Sequence, residues 1–568
     1  MRSVRFLTFA AVAALVVPPP GRAQAPAALA SARTQTRADS ARVLRDARRA
    51  QAAFERVRFQ HLPWTSENTG SGGSCDEIIG RFCLTHNDTE EDWTPPPEHP
   101  SVRAERDSLI AALDEAAAAS PGDAWVAGQR VRYRVEAGRF AEASRVAREC
   151  RAGRWWCLAL DGYARHAAGD YRAAEATFAQ ALAAMPAAER REWDALSPVL
   201  MDADARALRR MDASAREAAV RRIWWLADPF WMEPGNDRLT EHYARLVADR
   251  FQDRARTTEG IYWAFDLAEI LARWGAPSGW ERVRPRFGQG AISSVITHYP
   301  PSFEFIPTLA MARDPLAIRA DDWRTDEKGA HSFYGPPGVR RFGPLPHQVA
   351  VFRRDGRAEV VAAFAMKPDS LPAHPTLEAG LVIMRDPGAA PVVQTARVDG
   401  TRGVLRATAE PEATVLSLEA RERTSQRAAR ARFGADLRRP AEHGIAISDV
   451  LLLDRDARPR SLDEAAPLAR GSTRFRAGER VAMYWEVYGL EPRADSVAFS
   501  LALSRKRTRG AAPVRMRWSE AVPGGAIVPR SLALTLPRLA PGDYVIEVSV
   551  RTRMGTTVTT RREITIER

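Results

Sequence analysis

Gln348-Val349-Ala350-Val351-Phe352, then Asp355-Gly356, then Glu359-Val360-Val361-Ala362-Ala363-Phe364: at this stretch the chain changes character. Upstream, apolar residues recur at helical spacing; from about 346 onward they recur with a period of two. The two apolar runs around an Asp-Gly pair predict strands joined by a tight turn. Gly380-Leu381-Val382-Ile383-Met384 and Thr414-Val415-Leu416-Ser417-Leu418 continue the pattern, and a β-sandwich is expected over 346–439. A second sandwich is expected over 440–568. Its strands include runs at 447–452, 481–488, 496–501 and 545–550. Pro541-Gly542-Asp543-Tyr544, just before an alternating strand, is a corner common in immunoglobulin-like domains.

Working back toward the N-terminus, residues 101–220 are expected to be helical. Gly138-Arg139-Phe140-Ala141-Glu142-Ala143 matches Gly169-Asp170-Tyr171-Arg172-Ala173-Ala174 at an offset of 31. These units resemble the tetratricopeptide repeat, whose period is about 34. Gly162 and Tyr163 fall on the first helix of the better unit. Ala174, Phe178, Ala181 and Leu182 fall on its second helix, which Pro186 ends. The first unit is degenerate, with Ala147 where the repeat has phenylalanine. Two units are fewer than a stable array needs, so neighbouring helices must cap them. The resemblance implies a scaffold for protein contacts; an ordinary pair of helical hairpins is the alternative.

Residues 26–100 read as a helix over 26–60, then an excursion. Gly70-Ser71-Gly72-Gly73-Ser74 is a turn and Pro95-Pro96-Pro97 an extended stop. The four cysteines form two local pairs, Cys75 with Cys83 and Cys150 with Cys157, and an oxidising compartment favours disulfides. Three pairings are possible, and spacing alone leaves all of them open. Cys75, Asp76, Cys83 and His86 form a weak zinc constellation, with a spacing that is no standard knuckle. Asp88, Glu90, Glu91 and Asp92 do not match a calcium loop.

Residues 1–25 predict a secretory signal. Arg2 and Arg5 supply positive charge, Leu7 to Val17 is apolar apart from Thr8, and Ala23-Gln24-Ala25 suits signal peptidase. The run is shorter than the ~20 residues a spanning helix needs. The mature protein is therefore expected to be exported, periplasmic or extracellular, with no transmembrane segment after cleavage. At ~100–200 residues per domain, 568 residues make three or four domains. The net charge of +12 comes almost wholly from arginines spread along the chain and interleaved with acids. That pattern argues against a nucleic-acid partner.

Residues 221–345 hold the most distinctive local pattern. It runs Ile223-Trp224-Trp225-Leu226-Ala227-Asp228-Pro229-Phe230-Trp231, then Gly235-Asn236, then a helix with Glu241, Tyr243, Arg245 and Leu246. Gly260-Ile261-Tyr262-Trp263-Ala264-Phe265-Asp266 follows, and Glu269-Ile270-Leu271-Ala272-Arg273-Trp274-Gly275-Ala276-Pro277 ends it. The chain here resembles the GWxTD domain family. Asp228-Pro229, Asn236, Trp263, Asp266, Gly275 and Pro277 fall where the family's residues fall, while Tyr262, Phe265 and Ala276 depart from the pattern. The resemblance implies a short strand after the signature. An echo, Trp323-Arg324-Thr325-Asp326 before Tyr334-Gly335-Pro336-Pro337, has better letters but a polar connection; the first match is preferred. Ser448-Asp449-Val450 and Glu486-Val487-Tyr488-Gly489-Leu490 resemble the family's tail. The family brings no established activity with it.

No His-Glu-x-x-His, Gly-x-Ser-x-Gly, phosphate loop, Cys-x-x-Cys or Rossmann fingerprint occurs. No catalytic residue, metal site or cofactor is expected. Trp224, Trp225, Trp231, Trp263, Asp266 and Trp274 form the candidate binding set, joined by Trp280. Exposed, such rings would stack on sugars or grip a peptide; their helical and strand spacing favours core. His242 is a packed or surface histidine before it is a base. The sequence thus predicts a multidomain α+β protein with a tetratricopeptide-like helical region (101–220), a mixed GWxTD-like module (221–345) and C-terminal immunoglobulin-like sandwiches. The expected function is a non-enzymatic envelope scaffold with protein partners. The alternative is binding or processing of an envelope polymer, glycan or peptide, through the Trp-rich centre.

Overall fold

The structure, a computed structural model, describes residues 25–65, 75–84, 93–283, 295–323, 330–368, 371–441, 443–454, 457–490, 497–506, 514–520 and 524–567, with backbone alone over 25–39. All of the expected signal segment 1–25 but its last residue, the glycine-rich turn at 70–74, His86, the acids at 88–92 and the echo's Arg324-Thr325-Asp326 lie outside these residues. Helices fill the N-terminal half and sheets the C-terminal half. The helices up to residue 274 are α1 (Ala25–Gln60), α2 (Pro100–Ala119), α3 (Ala124–Glu136), α4 (Phe140–Arg148), α5 (Arg154–Ala167), α6 (Tyr171–Ala184), α7 (Ala187–Trp193), α8 (Asp202–Arg209), α9 (Ala213–Ala227), α10 (Asp237–Phe251) and α11 (Phe265–Trp274). Among the described residues no helix is long and apolar enough to cross a membrane.

Two helix pairs, α3/α4 and α5/α6, occupy the two similar stretches. Asp123 and Asp170 cap α3 and α6 by accepting from the Val126 and Ala173 N–H groups. Small side chains let the helices close: Ala143, Ala147, Ala159, Ala164, Ala174 and Ala181 are fully buried. At Gly162 a Cβ would sit 2.9 Å from the Phe178 ring, so the pairing of α5 with α6 depends on that glycine. The cap is α10, which lies on α5, α6 and α3. It inserts Val247 and Phe251 beside Trp156 and Leu160, and the Gln129 amide on α3 donates to the Phe251 carbonyl at 2.6 Å. Both disulfides are local, Cys75–Cys83 and Cys150–Cys157. Because Cys75 and Cys83 bond each other, neither offers a thiolate to zinc.

The first sheet pair sets His347–Arg354, Arg357–Ala365 and Arg402–Ala409 against a five-stranded sheet. Asp355 and Gly356 both have positive φ, 48° and 80°, the backbone of the two-residue hairpin turn that Asp-Gly predicts. Val360, Ala362 and Phe364 face Leu381, Leu416 and Leu418 across the core. The other face is covered too, since Phe352, Val361 and Ala363 pack on Leu451, Leu453 and Tyr484 of the next unit. Burial on both faces explains why 360–364 is continuously apolar rather than alternating. The sheet also starts earlier than 346, because Arg341–Pro344 pairs in parallel with 427–430.

The second sheet pair encloses Trp485, Met483, Val481 and Phe499. Tyr544 of the Pro-Gly-Asp-Tyr corner donates to the Ala540 carbonyl at 2.9 Å, the tie that fixes such a corner. The run 447–452 forms two short strands, Ala446–Ile447 and Leu451–Leu453, instead of one. Ser448 and Asp449 break it because their side chains serve other elements. The Ser448 hydroxyl accepts from the Glu486 N–H at 2.9 Å, and Asp449 accepts from the Val351 N–H at 3.0 Å.

Candidate functional site

Trp224, Trp225 and Trp231 lie where the helical half meets the first sheet pair, each less than 9% exposed. The Trp225 and Trp231 rings stack at 4.8 Å, and the Trp231 indole N–H donates to the Trp225 carbonyl at 2.8 Å. α9 ends at Asp228, whose carboxylate accepts from the Phe230 N–H at 3.0 Å and turns the chain. The sheet grips this turn with charge. Glu419 accepts from the Trp231 and Met232 N–H groups, both at 3.0 Å. Arg432 donates to the Leu226 and Asp228 carbonyls and pairs with Glu419 at 3.0 Å. Its guanidinium lies 3.9 Å from the Trp231 ring centre, and both members of the pair are wholly buried. Arg430 donates to the Asp228 and Pro229 carbonyls and stacks on Trp323. These three tryptophans are therefore joint and core, with no open ring for a ligand.

α10 carries a buried charged row. Asn236 caps it, accepting from the Leu239 N–H while its amide donates to the Trp224 carbonyl. Arg238 is completely buried, donates to the Ser332 hydroxyl at 2.7 Å and sits between the Trp224 and Tyr334 rings. Burial, then the positive charge of Arg238 and Arg245, pushes His242 down to about 3. His242 is a neutral packed ring, not an accessible base. Burial drives the Glu241 carboxyl upward, but Arg245 and His166 beside it reverse the sign and hold it ionised.

Asp266 is a latch. It lies in the first turn of α11, and Arg81 grips it with Nε at 2.6 Å and Nη2 at 2.9 Å. Arg81 sits at the tip of the hairpin Glu77–Ile79/Phe82–Leu84, which the Cys75–Cys83 disulfide closes. Gly80 beside it has φ of 54°, and a Cβ there would sit 2.5 Å from the Asp266 Cβ. The Arg81 hydrogen bonds hold the Asp266 carboxyl down to about 2. α11 itself stands where the resemblance implies a strand. Ile270, Leu271 and Trp274 recur at helical spacing and bury that face. Trp274 packs on Phe333 and Tyr299 inside the same cluster.

Trp263, and Trp280 which joins the candidate set, line an open cleft of about 530 Å³ between α1–α3 and the 257–280 segment. The Trp263 indole N–H donates to Asp249 at 2.8 Å. Trp93 lines the cleft too; isolated beside the prolines, it carried no signal that a sequence pattern could pick out. Trp93 stacks on His298 at 4.0 Å. Glu259 accepts from the Trp280 indole N–H at 2.6 Å, and burial raises its carboxyl. Glu136 is gripped by Arg58 and Arg132; these charges outweigh burial and keep it ionised. The joint residues Glu419, Arg430 and Arg432 carried no motif that sequence reasoning could find.

No family model matches the chain, and no curated protein matches it. Among solved structures, it aligns with red sea bream transglutaminase at 11% identity, covering 54% of this chain and 43% of that one, TM-score 0.14. It aligns with the chicken CNTN1 FN1-FN3 domains at 12% identity over 40% of this chain and 66% of that one, TM-score 0.13. A superoxide reductase (neelaredoxin) from Ignicoccus hospitalis aligns at 18% over 17% and 77%, TM-score 0.14. Likenesses this slight carry no functional argument.

Proposed function

We propose that this protein is an exported, non-enzymatic scaffold or protein-interaction protein of the bacterial cell envelope. In this reading α3–α6 are degenerate tetratricopeptide-like repeats, 221–345 is a GWxTD-like module, and the two sheet pairs are immunoglobulin-like sandwiches. The observation that carries it is an apolar ridge on a braced frame. Tyr262 is 81% and Phe265 76% exposed, and the Asp266–Arg81 latch secures the backbone beneath them. Large apolar side chains left in water at such a position suit a protein partner. The face shared by α3 and α5 is already filled by α10, so docking uses other surfaces. In-cell cross-linking tests this. The wild-type chain is expected to capture envelope proteins that Tyr262→Ser/Phe265→Ser loses at unchanged Tm. Capture of nothing, or of the same set by both, would refute the reading. The polymer-binding alternative draws support from a separate observation, the tryptophan-lined cleft.

A further inference from the structure

We infer that the cleft between α1–α3 and the 257–280 segment is a binding site for a neutral saccharide, a short run of an oligosaccharide chain. The inference deepens the polymer-binding alternative by naming the ligand class. Three features of the lining argue for it.

The first is aromatic surface. Trp93, Trp263 and Trp280 line a space of about 530 Å³, within the range of small-ligand sites. The indole N–H groups of Trp263 and Trp280 are already committed to Asp249 and Glu259, so their rings offer apolar surface in fixed orientations. The C–H face of a pyranose ring is the flat, weakly polarised partner that such surface suits.

The second is charge balance. Arg58 and Arg132 are held by Glu136 and Glu55, and Arg106 by Glu98. The cationic side of the lining is therefore neutralised internally, which disfavours an anionic ligand. Glu259 is bonded through one oxygen to an indole, and among the described residues it forms no ion pair. Burial raises its carboxyl, so it suits hydroxyl groups, which both donate and accept, better than a cation.

The third is the wall. Pro63, Pro95, Pro96, Pro97 and Pro277 line it and have no N–H to donate. Strand Gly279–Val283 is flanked on both edges, by Trp64–Thr65 and Val295–His298. An extended peptide thus finds, among the described residues, no free edge on the strand that lines the cleft.

The test titrates the full exported chain, by calorimetry and tryptophan fluorescence, with hexasaccharides of β-1,4-N-acetylglucosamine, β-1,4-glucose, β-1,4-mannose and α-1,4-glucose. Hexaproline and hexalysine serve as peptide probes. At least one saccharide is expected to bind with Kd below ~1 mM. Trp263→Ala should weaken it by about tenfold or more. Glu259→Gln, which keeps the shape of the side chain, should weaken it severalfold at unchanged Tm, so the outcome does not hang on whether the tryptophan variant folds. Saccharide binding that survives both substitutions would overturn the assignment to this cleft. Binding of the peptides alone would overturn the saccharide and leave polymer binding standing. Silence from every probe would remove both.

Discussion

Arg432 and Glu419 connect residues far apart in the chain. Each is wholly buried, and together they satisfy four backbone groups between Leu226 and Met232. Removing one partner strands the other's charge in a dry site, which costs about 3–5 kcal/mol. Chemical denaturation should therefore find Arg432→Met strongly destabilised, with much of the loss recovered in Arg432→Met/Glu419→Leu. Equal losses would mean the two do not act as a pair. Asp266 gives a pH signature. Its folded carboxyl, at about 2, lies below the ordinary value near 3.9, so the latch contributes stability above pH ~4 that is lost as the pH falls toward 2. Hydrogen exchange in 75–84 should rise across that window, and Asp266→Asn should show the raised exchange at neutral pH. His242 works over a different range. Held neutral down to about 3, it takes up fewer protons folded than unfolded, so acidification from pH ~6.5 to ~3 costs up to about 1.4 kcal/mol per unit. His242→Phe should flatten that limb of the stability curve; an unchanged limb would locate the titration elsewhere.

Elements differ in how much of them the sequence discloses. The Asp355-Gly356 hairpin, the glycine-led turns of the helix pairs and the Pro-Gly-Asp-Tyr corner were legible because each is set by residues adjacent in sequence. Gly162→Ala tests one such element. Driving a Cβ to 2.9 Å from Phe178 should cost about 1–3 kcal/mol and loosen α5 from α6, read as a drop in Tm. The run 447–452 broke into two strands because Ser448 and Asp449 answer to Glu486 and Val351, partners invisible to a local pattern. α11 departs from the implied strand because Ile270, Leu271 and Trp274 follow a helical period that the signature letters do not encode. The candidate binding set was half legible. Tryptophan density marked the region, but only a fold brings Trp93 to Trp263 and Trp280, or Arg430 to an Asp228 carbonyl 202 residues away.

At the scale of the whole molecule, the residues that resemble family signatures gather where blocks meet. Asp228-Pro229 lies between helices and the first sheet pair, and Asp266 between α11 and the stapled hairpin. Asp449 and Glu486 lie between the two sheet pairs, where Arg354 grips Glu486 with two bonds of 2.7 Å. These joints are expected to make helices and sheets one rigid frame. Pulsed electron spin resonance between labels at Ser108→Cys on α2 and Thr559→Cys on the last strand measures this directly, since all four native cysteines are paired. One narrow distance distribution is predicted, broadening when Arg432→Gln and Glu419→Gln are combined. A broad or two-peaked distribution in the otherwise wild-type chain would contradict that expectation.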